Sequence, residues 1–241
     1  MSDFLKGKRP TIVAHRGASG SAPENTLAAF RRALEIGATA LELDVHCTAD
    51  GQVVVMHDAT VERTTDGSGA IAQMTLAQLQ KLDAGAWRGA EFAGERVPTL
   101  AEVCRLARNR AFLFVEIKAE GIAAAVLDVL AAEKMEGQAI LISFSADNIR
   151  RAKELRSDVA TGLLTMQASD MDRLAALGAD ALCLHYPAAT EELARALHAA
   201  DRLLNVWTVN DPEEIRRMTK LGADFITTDY PEQGLAALAA G

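Results

Sequence analysis

Short, nearly continuous apolar segments recur along the chain, and most are followed by a stretch in which apolar residues repeat with the period of a helix. Phe114-Val115-Glu116-Ile117 is one example. Strands that are buried on both faces have this composition, whereas half-exposed strands alternate apolar and polar residues. The segments that predict strands are Thr11–His15, Ala40–His46, Val53–His57, Phe112–Ile117, Ala139–Ser143, Thr161–Leu164, Ala181–Leu184, Leu203–Thr208 and Phe225–Thr227.

Helix boundaries are marked between these segments. Thr99 and Glu102 have the spacing of a capping box. Asp211 before Pro212 combines an N-cap residue with a proline at the first helical position. Gly37 follows a helical segment, where a left-handed residue commonly ends a helix. Repeated strand–helix units predict a parallel sheet covered by helices, and 241 residues fit a closed (β/α)8 barrel of the TIM type.

Nine predicted strands are one too many for such a barrel. Only six residues separate His46 from Val53–His57, too few for the crossover that joins parallel strands. Asp50-Gly51 lies between them and is a hairpin signal. We therefore predict a β-hairpin that extends the second strand, with a two-residue turn that sets Asp44 opposite His57. The alternative is an extended crossover that keeps Val53–His57 in the barrel.

Residues 58–96 interrupt the alternation of strands and helices. The segment contains five glycines and one predicted short helix, which begins after Thr75 with Gln78 three residues further on. Long connections with little regular structure are commonly lids or binding loops. We predict one domain over residues 1–241, with 58–96 as a small subdomain inserted over the C-terminal face of the barrel.

Composition narrows the classes of function. The 25 Lys and Arg residues against 33 Asp and Glu residues give a net charge of −8, which argues against a nucleic-acid partner. An anionic substrate then needs local cations or a metal ion. The three cysteines are too few and too widely spaced for a disulfide framework. Met1–Pro10 lacks the apolar core of a signal peptide, and no apolar run reaches the roughly 18–20 residues of a membrane span. A cytoplasmic location is the expectation.

Acidic residues occupy the ends of two predicted strands. Glu42 and Asp44 leave the same face of one strand, and Glu116 comes from a neighbouring strand at a similar height. Three carboxylates in one place repel one another and suit a hard cation, Mg2+ or Ca2+. The alternative is that these acids pair with Arg16 and Lys118 without a metal.

Two histidines also lie at strand ends. The unperturbed imidazole has a pKa near neutral pH, so His15 and His57 would serve as an acid–base pair, although hydrogen-bonded structural histidines are the alternative. Arg16 and Lys118 either bind a phosphate group or neutralise the carboxylates, and the two roles are compatible. Trp207 offers either a flat apolar wall for an alcohol group or ordinary core packing.

One further polar residue, Asp229, follows the last predicted strand. It is expected to cap the next segment.

Six motifs in a fixed order extend this interpretation. The motifs are Ala14-His15-Arg16-Gly17, Pro23-Glu24-Asn25-Thr26, Glu42-Leu43-Asp44-Val45, His57-Asp58, Glu116-Ile117-Lys118 and Val206-Trp207-Thr208-Val209-Asn210. Together they resemble the glycerophosphodiester phosphodiesterase family in its short bacterial cytoplasmic form, and the inserted segment falls where that family carries its insertion.

The resemblance implies hydrolysis of glycerophosphodiesters to sn-glycerol 3-phosphate and an alcohol, a reaction of glycerol and lipid metabolism. It implies a metal held by Glu42, Asp44 and Glu116, with His15 and His57 as acid and base. Attack by water, or by the neighbouring glycerol hydroxyl through a cyclic phosphate as in the similar phosphatidylinositol-specific phospholipases C, remains open. His185 is assigned to substrate contact. A lysophospholipase D activity, a non-catalytic phosphodiester-binding module and a metal-dependent aldolase are the rival functions, and a homodimer is compatible with the sequence.

Overall fold

Eight parallel strands close into a barrel, and a ninth strand is attached to it as one arm of a hairpin. The computed structural model describes residues 10–239, so the predicted absence of a signal peptide concerns residues outside it. Within those limits the strands are β1 (Thr11–Ala14), β2 (Ala40–Cys47), β3 (Val53–Val55), β4 (Phe112–Ile117), β5 (Ala139–Ser143), β6 (Ala160–Thr165), β7 (Ala181–His185), β8 (Leu203–Trp207) and β9 (Phe225–Thr228).

Closure follows from the pairing of the first strand. β1 pairs in parallel with β2 on one side and with β9 on the other, and parallel pairing runs from β2 through β4 to β9. The predicted (β/α)8 barrel is therefore confirmed. The helices in the described part of the chain are α1 (Leu27–Ile36), α2 (Leu76–Leu79), α3 (Leu100–Ala107), α4 (Ala123–Ala132), α5 (Ala146–Leu155), α6 (Met171–Leu177), α7 (Glu191–Ala199), α8 (Pro212–Leu221) and α9 (Pro231–Ala239).

The helix boundaries have the caps that the sequence predicts. Thr99 and Glu102 form a reciprocal capping box at the start of α3. The Asp211 side chain accepts hydrogen bonds from the first turn of α8, and Gly37 ends α1 with φ at 98°. These local signals place α1, α3 and α8 between their strands, and each turns an apolar face to the barrel. None of the described helices is long and apolar enough to cross a bilayer.

The hairpin after β2 is confirmed, but its predicted register is wrong by one residue. β3 pairs antiparallel with β2 so that Val45 faces Val55, and the amide of Met56 donates to the carbonyl oxygen of Asp44 at 3.0 Å. Asp44 therefore lies opposite Met56, not His57. The cause is a three-residue loop in which the amide of Gly51 donates to Thr48 and Gly51 has φ at 77°. The extended crossover is wrong.

We expect Gly51→Ala to lower the free energy of unfolding by about 1 kcal/mol, because a Cβ disfavours positive φ. A Cβ at Gly51 would meet no atom within 4 Å, so the cost isolates the backbone conformation. Gly137 is the matched control, since it is equally open but lacks a positive φ. Urea unfolding of both alanine variants measures the difference, and equal stabilities would contradict the left-handed conformation of Gly51.

Aromatic side chains fill the barrel on the side away from the polar strand ends. Phe114 packs edge-to-face against Phe112 and Phe225, with ring centroids 5.8 Å and 5.0 Å apart, and all three rings are buried. Alternation along β4 puts Phe112, Phe114 and Glu116 on one face. The interior thus changes from packed rings to carboxylates at the C-terminal ends of the strands, where barrels of this type carry their chemistry.

Residues 58–96 contribute apolar side chains that pack against β3. Their predicted helix is α2, and Thr75 forms the expected capping box with Gln78. Val61, Ile71 and Leu79 share a buried cluster with Val54 of β3. The Arg88 guanidinium also donates to a carbonyl oxygen in the loop after β1. The insertion is therefore held against both the hairpin and that loop.

Candidate active site

A cavity opens at the C-terminal ends of the barrel strands and holds about 480 Å³ of space that protein atoms leave free, part of it open to solvent. Charged groups occupy one side of its wall, and apolar and aromatic groups much of the remainder. The lining residues are His15, Arg16, Glu42, His57, Glu116, Lys118, Ile142, Phe144, Leu164, Asn205, Trp207, Thr208 and Thr227.

Three carboxylates converge at this cavity. Oxygen atoms of Glu42, Asp44 and Glu116 all lie within 4.8 Å of one another. Burial raises the pKa of Glu42, and the charges of Asp44 and Glu116 raise it further. Burial and the charge of Asp44 likewise raise the pKa of Glu116 to about 7. The neighbouring cations therefore leave the repulsion among these acids only partly neutralised.

Asp44 behaves differently because cations surround it. Burial opposes its ionisation, but the charges of Arg16 and Lys118 outweigh burial and hold its pKa below the ordinary value. Its Oδ1 atom is fully buried without a hydrogen-bond partner, and Lys118 Nζ lies 3.6 Å away from it. Clustered carboxylate oxygens with one orphaned ligand atom fit a hard divalent cation, so this group could bind a metal.

Arg16 and Lys118 pair with these acids and also line the cavity, so both roles expected from the sequence are compatible with their positions. Arg16 Nε lies 3.3 Å from Asp44 Oδ2, and Lys118 Nζ donates to Glu116 Oε1 at 2.8 Å. Arg16 has φ at 56°, a conformation uncommon outside glycine, and its amide donates to Glu42 Oε2 at 3.0 Å. The neighbouring backbone thus helps to orient Glu42.

Glycine is required directly after Arg16. Gly17 has φ at 82°, and a Cβ there would lie 2.6 Å from a backbone carbon of Ala29 in α1. This close approach lets the loop after β1 fold back over the barrel end. Asn25 in the same loop donates to Asp44 Oδ2 at 2.9 Å, which explains why the Pro23–Thr26 motif lies near the acids.

The two predicted catalytic histidines face one cavity, and each is held from behind by a carboxylate. His15 Nδ1 lies 2.6 Å from Asp229 Oδ1, and His57 Nδ1 lies 2.6 Å from Asp58 Oδ1. With each Nδ1 engaged by a carboxylate, Nε2 is the ring nitrogen left for proton transfer to and from substrate. His15 Nε2 is 3.9 Å from Glu42 Oε2, and His57 Nε2 forms a hydrogen bond of 3.2 Å with Lys118 Nζ, which a bound substrate would replace.

The prediction that Asp229 caps the following segment is wrong, because its side chain holds His15. Asn210 Nδ2 donates to the other Asp229 oxygen at 2.7 Å, and Ser19 Oγ donates to Oδ1 at 3.0 Å. Burial opposes ionisation of Asp229, but the hydrogen bond to His15 and these other contacts lower its pKa to about 2. A usable signal existed: β1 and β9 are neighbours once the barrel closes, so the residues that follow them are adjacent.

Aromatic residues form the apolar side of the cavity. Trp207 lines it, and its indole nitrogen donates to the carbonyl oxygen of Cys183 at 2.8 Å. The half-exposed ring of Phe144 stands edge-on to Trp207, with centroids 5.6 Å apart. Sequence analysis missed Phe144, a large apolar residue just after β5. His185 is not among the lining residues, and its ring packs 5.4 Å from Trp207.

The glycerophosphoryl diester phosphodiesterase family matches residues 15–233, which is most of the chain. The chain belongs to this family. It is accordingly a phosphodiesterase, an enzyme that hydrolyses glycerophosphodiesters, as the sequence motifs predicted.

Individual relatives agree with this assignment. This chain is 41% identical over 229 residues to a glycerophosphodiester phosphodiesterase of Caldanaerobacter subterraneus, and the match covers 92% of this chain and 94% of that one. A phosphodiesterase of Oleispira antarctica, solved in complex with the product sn-glycerol-3-phosphate, has a TM-score of 0.88 at 31% identity, covering 95% of this chain and 97% of that one. A solved structure of the same family from Silicibacter pomeroyi has a TM-score of 0.89 at 29% identity, and the match covers 99% of this chain and 96% of that one.

Proposed function

We propose that the enzyme converts glycerophosphodiesters to sn-glycerol 3-phosphate and an alcohol, with His15 and His57 transferring protons and a divalent cation at the three acids. One observation carries the proposal: two carboxylate-anchored imidazoles share a single cavity with Glu42 and Glu116, and the buried Asp44 has an oxygen within 4.8 Å of both acids. The Oleispira antarctica relative holds sn-glycerol-3-phosphate, which is the product this chemistry requires.

The cation, Mg2+ or Ca2+, would be held by Glu42, Asp44 and Glu116. All three offer carboxylate oxygens, which are hard ligands, and this set contains no soft ligand such as a thiolate. When bound, such an ion stabilises negative charge on a phosphate oxygen. The side chains of Arg16 and Lys118 bring two further positive charges to the cavity wall. They orient the phosphodiester and share the charge that develops on its oxygens in the transition state.

The two histidines divide the proton transfers between them. One Nε2 accepts a proton from the nucleophile, either water or the neighbouring glycerol hydroxyl, as its oxygen forms a bond to phosphorus. The other Nε2 gives a proton to the departing alcohol oxygen as the phosphorus–oxygen bond breaks. On the route through the glycerol hydroxyl, water then opens the cyclic phosphate: one Nε2 accepts the proton of the water, and the other gives a proton to the ring oxygen that leaves phosphorus and becomes the glycerol hydroxyl again. Asp229 and Asp58 keep each ring in the tautomer that exposes Nε2 and stabilise it when it is charged.

The aromatic side of the cavity suits the carbon skeleton of glycerol or of the alcohol. Trp207 and Phe144 present apolar surface to the same cavity as the charged groups. A substrate that places its phosphate on Arg16 and Lys118 can therefore rest its carbon atoms on these rings. His185, which we predicted to contact substrate, would act here by supporting the Trp207 ring.

Product analysis tests the proposal. We expect glycerophosphocholine to yield glycerol 3-phosphate and choline, because the phosphate stays with glycerol when the other ester bond breaks. 31P NMR during turnover distinguishes the two nucleophiles, since attack by the glycerol hydroxyl passes through a cyclic phosphate. Glycerophosphoethanolamine and glycerophosphoglycerol are the companion substrates. The proposal would be contradicted if none of the three substrates released glycerol 3-phosphate. It would also be contradicted if glycerophosphocholine gave phosphocholine and glycerol.

A further inference from the structure

Arg63, in the insertion, lies between two carboxylates and hydrogen-bonds both. Its Nε and Nη2 donate to Asp58 at 2.6 Å and 3.1 Å. Its Nη1 and Nη2 donate to Glu24 at 2.8 Å and 2.9 Å. A planar guanidinium can serve two carboxylates in this way, whereas the single ammonium group of lysine cannot match the geometry.

Each of these carboxylates also holds a residue that lines the cavity. Asp58 Oδ1 lies 2.6 Å from His57 Nδ1, and Glu24 Oε1 accepts from Arg16 Nη1 at 2.9 Å. His57 follows the hairpin, whereas Arg16 belongs to the loop after β1, so the two are carried by separate segments. Arg63 itself is not among the lining residues and reaches the cavity only through its two partners.

The contacts keep both carboxylates ionised. The hydrogen bonds from Arg63 hold the pKa of Asp58 well below its usual range. Burial opposes ionisation of Glu24, but the hydrogen bonds from Arg63 and the charge of Arg16 outweigh it and lower its pKa. Without the guanidinium, no group would join the two anionic carboxylates, and each would keep only its contact with His57 or with Arg16.

We propose that Arg63 is a positioning residue that joins Asp58 to Glu24 and thereby sets His57 and Arg16 at the spacing that the reaction needs. The inference rests on the roles proposed above for His57 and Arg16. It gives the insertion a task in catalysis, because it supplies the group that connects the hairpin to the loop after β1.

The exposure of Arg63 separates this role from simple stabilisation. Its side chain is 45% exposed, and ion pairs at such positions contribute little to stability. We therefore expect Arg63→Ala to melt close to the wild-type temperature. Its kcat should fall by roughly ten- to hundredfold, the effect of a small misplacement of reacting groups, and its KM should rise because Arg16 loses its orientation. Arg63→Lys should recover only a small part of the loss.

Chemical rescue provides a sharper measurement. Because the Arg63 side chain is partly exposed, its removal leaves a slot between Asp58 and Glu24 that solvent can enter. Millimolar guanidinium chloride should raise the kcat of Arg63→Ala severalfold, while sodium chloride at equal ionic strength should not. Arg96→Ala is the matched control: Arg96 also lies in the insertion, but it is exposed and does not line the cavity. It should keep wild-type activity and show no response to guanidinium.

A double-mutant cycle completes the test. In a background carrying Asp58→Asn and Glu24→Gln, Arg63→Ala should cause little additional loss, because its partners are already removed. Additive losses in this cycle, wild-type kinetics of Arg63→Ala, or a rescue no larger than that by sodium chloride would each overturn the positioning role. Alanine variants of His57 and Arg16 are measured alongside. If they are active, the proposed function fails; if they are inactive and Arg63→Ala is not impaired, only the inference about Arg63 fails.

Discussion

Replacing His15 or His57 by alanine is expected to lower kcat for glycerophosphocholine by about 10²–10⁴-fold, the usual contribution of a positioned acid or base. Both rings face the cavity, and each Nδ1 is already engaged by a carboxylate, so each replacement removes one proton-transfer group. The fold should be retained, because both side chains lie at the cavity wall rather than in the packed interior. Steady-state kinetics with glycerol 3-phosphate detection measures the loss, and circular dichroism checks folding.

His198→Ala is the matched control for these variants. His198 lies on α7, pairs with Asp224 at 2.9 Å and does not line the cavity, so wild-type turnover is expected. Asp229→Asn is the graded companion, since it keeps the His15 ring but loses the charge that orients it. The kcat of Asp229→Asn should fall measurably, but less than the kcat of His15→Ala. Near-wild-type turnover in either histidine variant would refute the acid–base assignment.

Replacing Glu42 by glutamine is expected to abolish divalent-cation binding and, with it, turnover. The substitution preserves shape but removes one of three clustered charges. In EDTA, Glu42→Gln should unfold at a higher temperature than the wild type, because the buried carboxylate is repelled by Asp44 and Glu116. Adding Mg2+ or Ca2+ should stabilise the wild type by about 2.7 kcal/mol at 100 times the dissociation constant, and leave Glu42→Gln unchanged.

Calorimetric titration and thermal melting with each ion measure both parts of this prediction. Glu154→Gln is the control, since Glu154 pairs with Arg151 on the surface of α5, outside the cavity. EDTA should stop turnover of the wild type and of this control, and the preferred ion should restore it. Full activity in EDTA, or an unchanged ion affinity in Glu42→Gln, would refute the metal assignment.

Features that depend on neighbours in the chain were predictable. The apolar strands and the capping residues act within a few positions, so the capping box at Thr99 and the end of α1 at Gly37 could be predicted from local preferences. The barrel followed from counting the strand–helix units. The convergence of Glu42 and Glu116 followed from strand order and from the alternation of side chains, which are simple geometric rules.

The hairpin shows where this reasoning stopped. Asp50-Gly51 predicts a turn, but this dipeptide is compatible with both a two-residue and a three-residue hairpin loop. The structure has the longer loop, and the amide of Met56, one residue before His57, bonds to Asp44. Loop type depends on hydrogen bonds around Thr48 and on packing against the insertion, where the amide of Ala49 donates to Met74.

Partners distant in sequence were also missed. Asp229 meets His15 across 214 positions, and Arg63 meets Glu24 across 39. Each is an ordinary charged residue on its own, and its role depends on which surface the folded chain brings beside it.

The amino-acid sequence on its own therefore determined the barrel, the two imidazoles, the acidic trio and the family, because periodicity, capping and short motifs are local properties. Tertiary structure alone decided how these groups are oriented: the carboxylates behind the histidines, the contacts of Arg63 and the pairing opposite Asp44. Orientation arises from closing the barrel and docking the insertion, which bring together side chains whose separation along the chain carries no information about their distance in space.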